Sequence, residues 1–192
     1  IAEILIQFNC DVNVKNKNGE TGFSLACEHR NPEIVEFLFN LGYCNVRGKD
    51  SNGVTGFLLA CKGGHCNIVS FLLEHENDFG YEQDPCGNNG ILLALDSKDS
   101  ETLNSCISIL QDFLLKVPNC DISSPNSNGV NPFLKACLTK KFDCAALLME
   151  HGCSINFSNC FTSTELAANV SALNHGMMLE TFGDTLGQQA KF

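Results

Sequence analysis

The chain has 192 residues, of which 44% are hydrophobic, and this is enough for one globular domain or a short array of repeats around a continuous core. Its 12 Lys and Arg against 22 Asp and Glu give a formal net charge of −10, which disfavours nucleic acids and anionic lipid surfaces as partners. No apolar run approaches the roughly 18 residues that a membrane-spanning helix needs. We therefore expect a soluble chain that binds neither nucleic acid nor membrane. Because it begins at Ile1 within an apolar pattern, we also expect it to be a fragment.

A ten-residue pattern recurs along the chain. Its glycine stands at Gly19 and returns after 34 residues, after another 34, and then after 42. The four copies span residues 18–27, 52–61, 87–95 and 128–137. A second apolar pattern follows in the first three copies, at 34–39, 68–73 and 109–114. This spacing indicates a tandem array of short repeats.

Each copy contains signals for a turn and two helices. The glycines lie in polar stretches, where a tight turn with positive φ favours Gly. Two residues later comes a side chain whose oxygen can cap a helix. An alanine in mid-helix allows close approach of a neighbour, and the second apolar pattern has the spacing of one face of a second helix. The predicted caps are Thr21, Thr55, Asn89 and Asn131, and the alanines are Ala26, Ala60, Ala94 and Ala136.

These residues resemble the ankyrin repeat, whose unit of about 33 residues is a β-turn followed by two helices. The segment from Thr55 to Ala60, followed by Gly64-His65 and the apolar pairs at 68–69 and 72–73, fits the family signature in order. The resemblance implies an all-α ankyrin-type solenoid of helix-turn-helix repeats joined by short β-turn hairpin loops. It predicts an array over 1–160, with units at about 1–15 (partial), 16–49, 50–83, 84–125 and 126–157. Residues 158–192 are then a degenerate fifth repeat, a cap or a frayed tail.

Several positions depart from the signature. Gly22, Gly56 and Gly90 replace its proline, which only Pro132 keeps, so we expect less stability per repeat than in an idealised array. Lys135 replaces a leucine, which weakens the fourth copy unless its stem lies along the surface with the amine in water. The third repeat is about seven residues longer, which predicts either an outer helix lengthened at its start, capped by Asp99 or Ser100, or a functional side loop.

Most of the 12 cysteines follow the repeat. Cys27, Cys61 and Cys137 occupy one small-residue column and are predicted to pack as small hydrophobes. The resemblance places a second group at the family's alanine before the next turn: Cys10, Cys44, Cys120 and Cys153. The thiols predicted to be exposed are Cys66, Cys86 and Cys160. Metal binding by Cys61, His65 and Cys66, or a redox role, stays a lesser alternative.

No motif of a known catalytic or cofactor site occurs in the sequence. The five histidines lie near helix ends or in the Gly-His column, where structural or solvated roles are common. We therefore predict that the chain is not an enzyme and that it binds no cofactor or metal.

Acidic residues are concentrated at the junction of the second and third repeats. They are Glu74, Glu76, Asp78, Glu82 and Asp84, followed by Asp96, Asp99 and Glu101, with only Lys98 opposing them along the sequence. A solvated face and an acidic dock for a basic segment of a partner are both open. For the dock, we expect Glu82 and Asp84 to lie in an exposed turn.

The predicted function is that of a protein–protein interaction module, a scaffold or adaptor. The resemblance implies that a partner binds a concave face made of the turn tips and inner helices. The alternative is a regulatory or targeting segment of a larger enzyme or channel. We expect a cytoplasmic monomer. The predicted partner-binding residues are Lys17, Asn18, Glu20, Glu28, His29, Ser51, Asn52, Val54, Lys62, Glu82, Asp84, Asn88, Asp96, Ser127, Asn128, Val130 and Thr139.

Overall fold

The structure, a computed structural model, describes residues 11–96 and 102–153. Within these ranges the chain forms α-helices, one short 3-10 helix and two isolated β-bridges, with no strand. The helices are α1 (Gly22–Glu28), α2 (Pro32–Asn40), α3 (Gly56–Lys62), α4 (Cys66–His75), α5 (Gly90–Asp96), α6 (Thr102–Lys116), α7 (Pro132–Leu138) and α8 (Phe142–Glu150), with the 3-10 helix at Asn77–Tyr81.

The helices pack in two rows. The inner helices α1, α3, α5 and α7 contact one another in that order, and the outer helices α2, α4, α6 and α8 do the same. Each inner helix also contacts the outer helix that follows it. This arrangement confirms the predicted all-α repeat fold. The predicted tail at 158–192 and the partial unit before residue 11 lie outside the described residues.

Each inner helix begins at the residue after its predicted cap. Thr21 Oγ1 accepts from the Ser24 N–H at 3.2 Å, and Asn131 Oδ1 accepts from the Leu134 N–H at 2.9 Å. The other two caps, Thr55 and Asn89, bond the N–H groups of Leu58 and Leu92 in the same way. All four caps are buried, so each satisfies an otherwise unpaired helix N–H inside the protein.

One continuous hydrophobic core runs through the repeats. Cys27 and Cys61 are fully buried in it and Cys137 is nearly so, which confirms the packing prediction for this column. Among the thiols predicted to be exposed, Cys86 is exposed and Cys66 is half-buried, while Cys160 lies outside the described residues. Cys10 does as well.

Two of the glycines that replace proline are closely packed against the preceding repeat. A methyl group on Gly56 would lie 3.2 Å from Cys27 Sγ, and one on Gly90 would lie 2.9 Å from Cys61 Sγ and 2.5 Å from Phe113 Cζ. The cysteine of one repeat therefore fills the space that the glycine of the next repeat leaves open. The sequence predicts for these glycines only a loss of stability relative to proline, because the contact with the neighbouring helix arises from tertiary packing.

The extra length of the third repeat lies partly in its outer helix. α6 has 15 residues, whereas α2 has 9, α4 has 10 and α8 has 9. The prediction of a lengthened outer helix is confirmed. The predicted cap at Asp99 or Ser100 lies outside the described residues.

Candidate protein-interaction surface

Four polar turns precede the inner helices: turn 1 (16–20), turn 2 (50–54), turn 3 (84–88) and turn 4 (126–130). The first residue of each is Asn or Asp, and its Oδ1 accepts two backbone N–H groups, from the residues two and four positions later, at 2.8–3.0 Å. The four residues are Asn16, Asp50, Asp84 and Asn126. The sequence analysis missed this column, although it recurs at the same intervals as the glycines.

The turn glycines share one conformation. Gly19, Gly53, Gly87 and Gly129 have φ of 75°, 76°, 75° and 77°. In this left-handed region an L side chain is strained, so the predicted need for glycine is confirmed. With the side-chain bonds of the Asn/Asp column, this fixes the turn backbone and leaves the tip side chains to vary.

Adjacent turns are linked in pairs. The Ser51 N–H donates to the Asn18 carbonyl at 2.9 Å, which joins turn 2 to turn 1. The Ser127 N–H donates to the Cys86 carbonyl at 2.9 Å, which joins turn 4 to turn 3. Pro85 occupies the equivalent position in turn 3 and has no N–H to donate to turn 2. Its ring packs against Gly53 instead, where an added methyl group would come within 2.7 Å of Pro85 Cγ.

The predicted partner-binding residues lie on these turns, at the ends of the inner helices or, for Glu82, just before turn 3. Ten are exposed: Lys17, Asn18, Glu28, His29, Ser51, Asn52, Lys62, Asp96, Ser127 and Asn128. Seven are half-buried: Glu20, Val54, Glu82, Asp84, Asn88, Val130 and Thr139. We call the four turn tips and the exposed side of α1, α3, α5 and α7 the inner face.

Glu82 does not lie in an exposed turn as expected. Its side chain is 13% exposed, its Oε1 is 3.0 Å from Arg47 Nη1, and its Oε2 accepts from the Thr55 hydroxyl. Burial raises the pKa of the Glu82 carboxyl, although Thr55 and Arg47 act in the opposite direction. The Arg47 guanidinium also covers the ring of buried Phe79, 4.2 Å from the ring centroid. Glu82 is therefore part of a structural network with Arg47, Thr55 and Phe79. The sequence patterns did not single out Phe79.

Three further carboxylates of the acidic cluster are also engaged more than the sequence indicated. Asp84 is half-buried and holds turn 3, while Arg47 Nη2 lies 2.8 Å from Glu76 Oε2. Lys116 Nζ lies 2.8 Å from Glu74 Oε1, across a depression of about 560 Å³ lined by residues 73–78 and Lys116. The expectation that only Lys98 opposes the cluster is wrong, because Arg47 and Lys116 arrive from the neighbouring repeats.

Lys135 forms an ion pair with the neighbouring repeat. Its Nζ lies 2.5 Å from Asp96 Oδ1, so the two side chains pair between the third and fourth repeats. The pair stands on the inner face, where the first two repeats place Leu25 and Leu59 at the position of Lys135.

Burial disfavours the thiolate form of several cysteines. Burial raises the pKa of Cys137 to about 12 and the pKa of Cys120 and Cys144 to about 11, and it raises the pKa of Cys61 as well. A protonated thiol is a poor nucleophile and a poor metal ligand. Within residues 11–96 and 102–153, no group of three or more His, Cys, Asp and Glu side chains could hold a metal ion.

The family model described as ankyrin repeats, in three copies, matches residues 1–84. The geometry of four capped turns and paired helices is that of an all-α repeat protein, and residues 1–84 belong to the ankyrin-repeat family. The structure continues the same unit to Cys153. Ankyrin repeats generally bind other proteins and are typically non-catalytic. No curated protein matches the chain. Across the described part of the chain, no helix has the length and apolar character to span a membrane.

Proposed function

We propose that this chain binds a partner protein through its inner face. The observation that carries the proposal is the rigid turn column: one side-chain acceptor and one positive-φ glycine fix each turn, while the side chains at the tips stay exposed. A backbone that is fixed before binding loses little conformational entropy on binding, which favours recognition. The seventeen residues predicted from the sequence remain the proposed contact set, except that Glu82 and Asp84 act through the shape of the surface.

The experiment is site-specific photo-crosslinking in extracts of the source cells. A photoreactive residue at Asn52 or Asn128, on the turn tips, is expected to trap a partner protein. The matched control is Asn67, which is exposed on the outer helix α4. Trapping at Asn67 but at neither tip would contradict the proposal.

A basic segment as the bound element has less support than the sequence suggested. Two carboxylates of the acidic cluster, Glu82 and Asp84, already accept hydrogen bonds within the protein. Glu76 and Glu74 pair with Arg47 and Lys116, although both stay partly exposed. A basic partner would therefore compete with existing ion pairs.

The role of the array within its protein is a second proposal. The same surface would also suit an ankyrin array that serves as a regulatory or targeting segment of a larger enzyme or channel. The predicted cytoplasmic location is supported by ten free cysteines among the described residues, since free thiols are typical of reducing compartments. The predicted monomeric state is tested by light scattering.

A further inference from the structure

The inner face is divided into two halves of different charge. In the first half, formed by turns 1 and 2 with α1 and α3, the side chains of Lys15, Lys17, Lys49 and Lys62 are exposed. None of them takes part in the ion pairs formed among the described residues. In the second half, Lys135 is paired with Asp96. The chain as a whole carries −10, whereas in this half the four lysines outnumber the three carboxylates, Glu20, Glu28 and Asp50, by one.

Three of the lysines lie on segments that are bonded to each other. Lys15 Nζ donates to the Lys49 carbonyl at 2.8 Å, which joins the segments that lead into turns 1 and 2. The bond from Ser51 to Asn18 keeps the tip that carries Lys17 against turn 2. Lys15, Lys17 and Lys49 are therefore carried by two joined turns.

Two of the carboxylates of this half are hydrogen-bonded within the protein, and each keeps its negative charge. Glu20 accepts from the side-chain amides of Asn16 and Asn18, at 2.6 and 3.3 Å, and Asp50 accepts the turn N–H groups described above. Glu28 is exposed at the end of α1. A bound anion is expected to avoid Glu28 and to follow the turn tips and α3.

Apolar side chains lie between the lysines. Leu59 and Lys62 are three residues apart on α3 and share one helix face, and Leu59 is half-buried. Val54 in turn 2 and Leu25 on α1 are half-buried as well. In the second half the equivalent of Leu59 is Leu93, which is only 8% exposed. The first half thus combines partly accessible apolar side chains with exposed lysines.

We infer that the first half of the inner face binds an acidic segment of a partner protein, one that places an apolar side chain between its carboxylates. The inference rests on the proposed function and specifies the chemistry of the partner at the same surface. Charge complementarity of this kind acts on association rate and specificity, and it weakens with salt as the Debye length falls from ~10 Å at 0.1 M to ~3 Å at 1 M.

The test uses the full chain and synthetic labelled peptides. The acidic probe alternates Asp and Ser around a central Leu, and the comparison probes carry Lys in place of Asp, or Ser in place of the Leu. By fluorescence anisotropy at low salt, the acidic probe is expected to bind most tightly, with loss of affinity as salt rises. Equal or tighter binding of the Lys peptide, or no binding of the acidic probe, would overturn the inference.

Matched variants locate the site. Lys17→Gln with Lys49→Gln lowers the net charge by the same amount as Asn67→Asp with Gln111→Glu on the outer helices, and all four side chains are exposed. The first pair is expected to weaken binding of the acidic probe on the order of fivefold, and the second pair to leave it unchanged. Equal weakening by both pairs would mean that only net charge matters, which overturns the inference.

The two proposals fail separately. A partner that crosslinks to Asn52 through a basic or uncharged segment overturns the acidic-segment inference and leaves the proposed function standing. A partner that crosslinks only to the outer helices removes the proposed function, whatever the peptides do.

Discussion

Turns 1 and 2, and turns 3 and 4, are joined by a backbone hydrogen bond, whereas turns 2 and 3 are not. Pro85 removes the donor at the middle junction, where the side chains of Arg47, Glu82, Thr55 and Phe79 make the connection instead. Gly53 and Gly87, on either side of this junction, nevertheless keep φ of 76° and 75°. The repeat geometry is therefore set within each turn and its helices, and the link between neighbouring turns can be made by either backbone or side chains.

The largest effect is expected at the middle junction, from Phe79→Ala. Phe79 is fully buried and stacks on Phe57 with ring centroids 5.4 Å apart, so its loss leaves a cavity between the two halves. We expect the free energy of unfolding to fall by about 3–5 kcal/mol in chemical denaturation. Leu115→Ala, at a side chain that is 83% exposed, is the control and should change it by less than about 0.5 kcal/mol.

A smaller loss is expected from Arg47→Met, which keeps an apolar stem but leaves the half-buried Glu82 carboxylate without its cation. The expected loss is about 1–3 kcal/mol in the free energy of unfolding. Adding Glu82→Gln should recover part of it, because the neutral amide needs no cation. If the stability changes of the two single variants simply add in the double variant, Arg47 and Glu82 are not coupled and the side-chain network does not stabilise the junction. Lys62→Met, at an exposed lysine outside the ion pairs of the described residues, is the control.

The pairing of turns predicts where local damage spreads. Asp84→Ala removes the acceptor of two backbone N–H groups in turn 3, and Asp50→Ala does the same in turn 2. Each should cost about 1–2 kcal/mol. Hydrogen exchange is expected to rise in turns 3 and 4 for the first variant, and in turns 1 and 2 for the second. Spreading across the middle junction in both variants would show that the turns do not behave as pairs.

The smallest effect is a difference in pH dependence between two residues of the acidic cluster. The folded-state pKa of Glu82 is raised above 4.5 by burial, so the stability that depends on its protonation is full below 4.5 and is lost as pH rises through the folded pKa. The hydrogen bond from Lys116 lowers the pKa of Glu74, so its contribution is present above 4.5 and is lost as pH falls. Denaturation of wild type, Glu82→Gln and Glu74→Gln on both sides of 4.5 should give difference slopes of opposite sign. Slopes of the same sign would contradict the two assigned environments.

The repeat period predicted most of the fold. Thr21 and its counterparts identified the helix starts because capping is a local interaction between a side chain and an N–H three residues away. Cys27 and Cys61 were recognised as core residues by their fixed place in the repeat. The Asn/Asp column of the turns was equally local and was available from the same spacing, although the analysis did not use it.

The acidic cluster shows what the sequence left undecided. Glu82 and Glu74 are eight residues apart and look alike in the sequence, yet Arg47 and Thr55 enclose one of them, while the other stays exposed beside Lys116. These partners are 27 to 42 residues away along the chain. The partner-binding residues met the same limit, since exposure of the predicted side chains depends on which neighbouring repeat covers them.

The sequence by itself determined that the chain is a tandem array of turn-helix-helix units, because the unit repeats and every signal for a turn, a cap or an apolar face acts over a few residues. Only the tertiary structure decided which charged side chains are paired and which stay exposed. Arg47 and Lys116 form ion pairs with carboxylates at the middle junction, while the lysines in and beside turns 1 and 2 remain exposed. The physical reason is that charge pairing depends on distance in space, and stacking of the repeats brings together side chains that are a full unit apart in the chain.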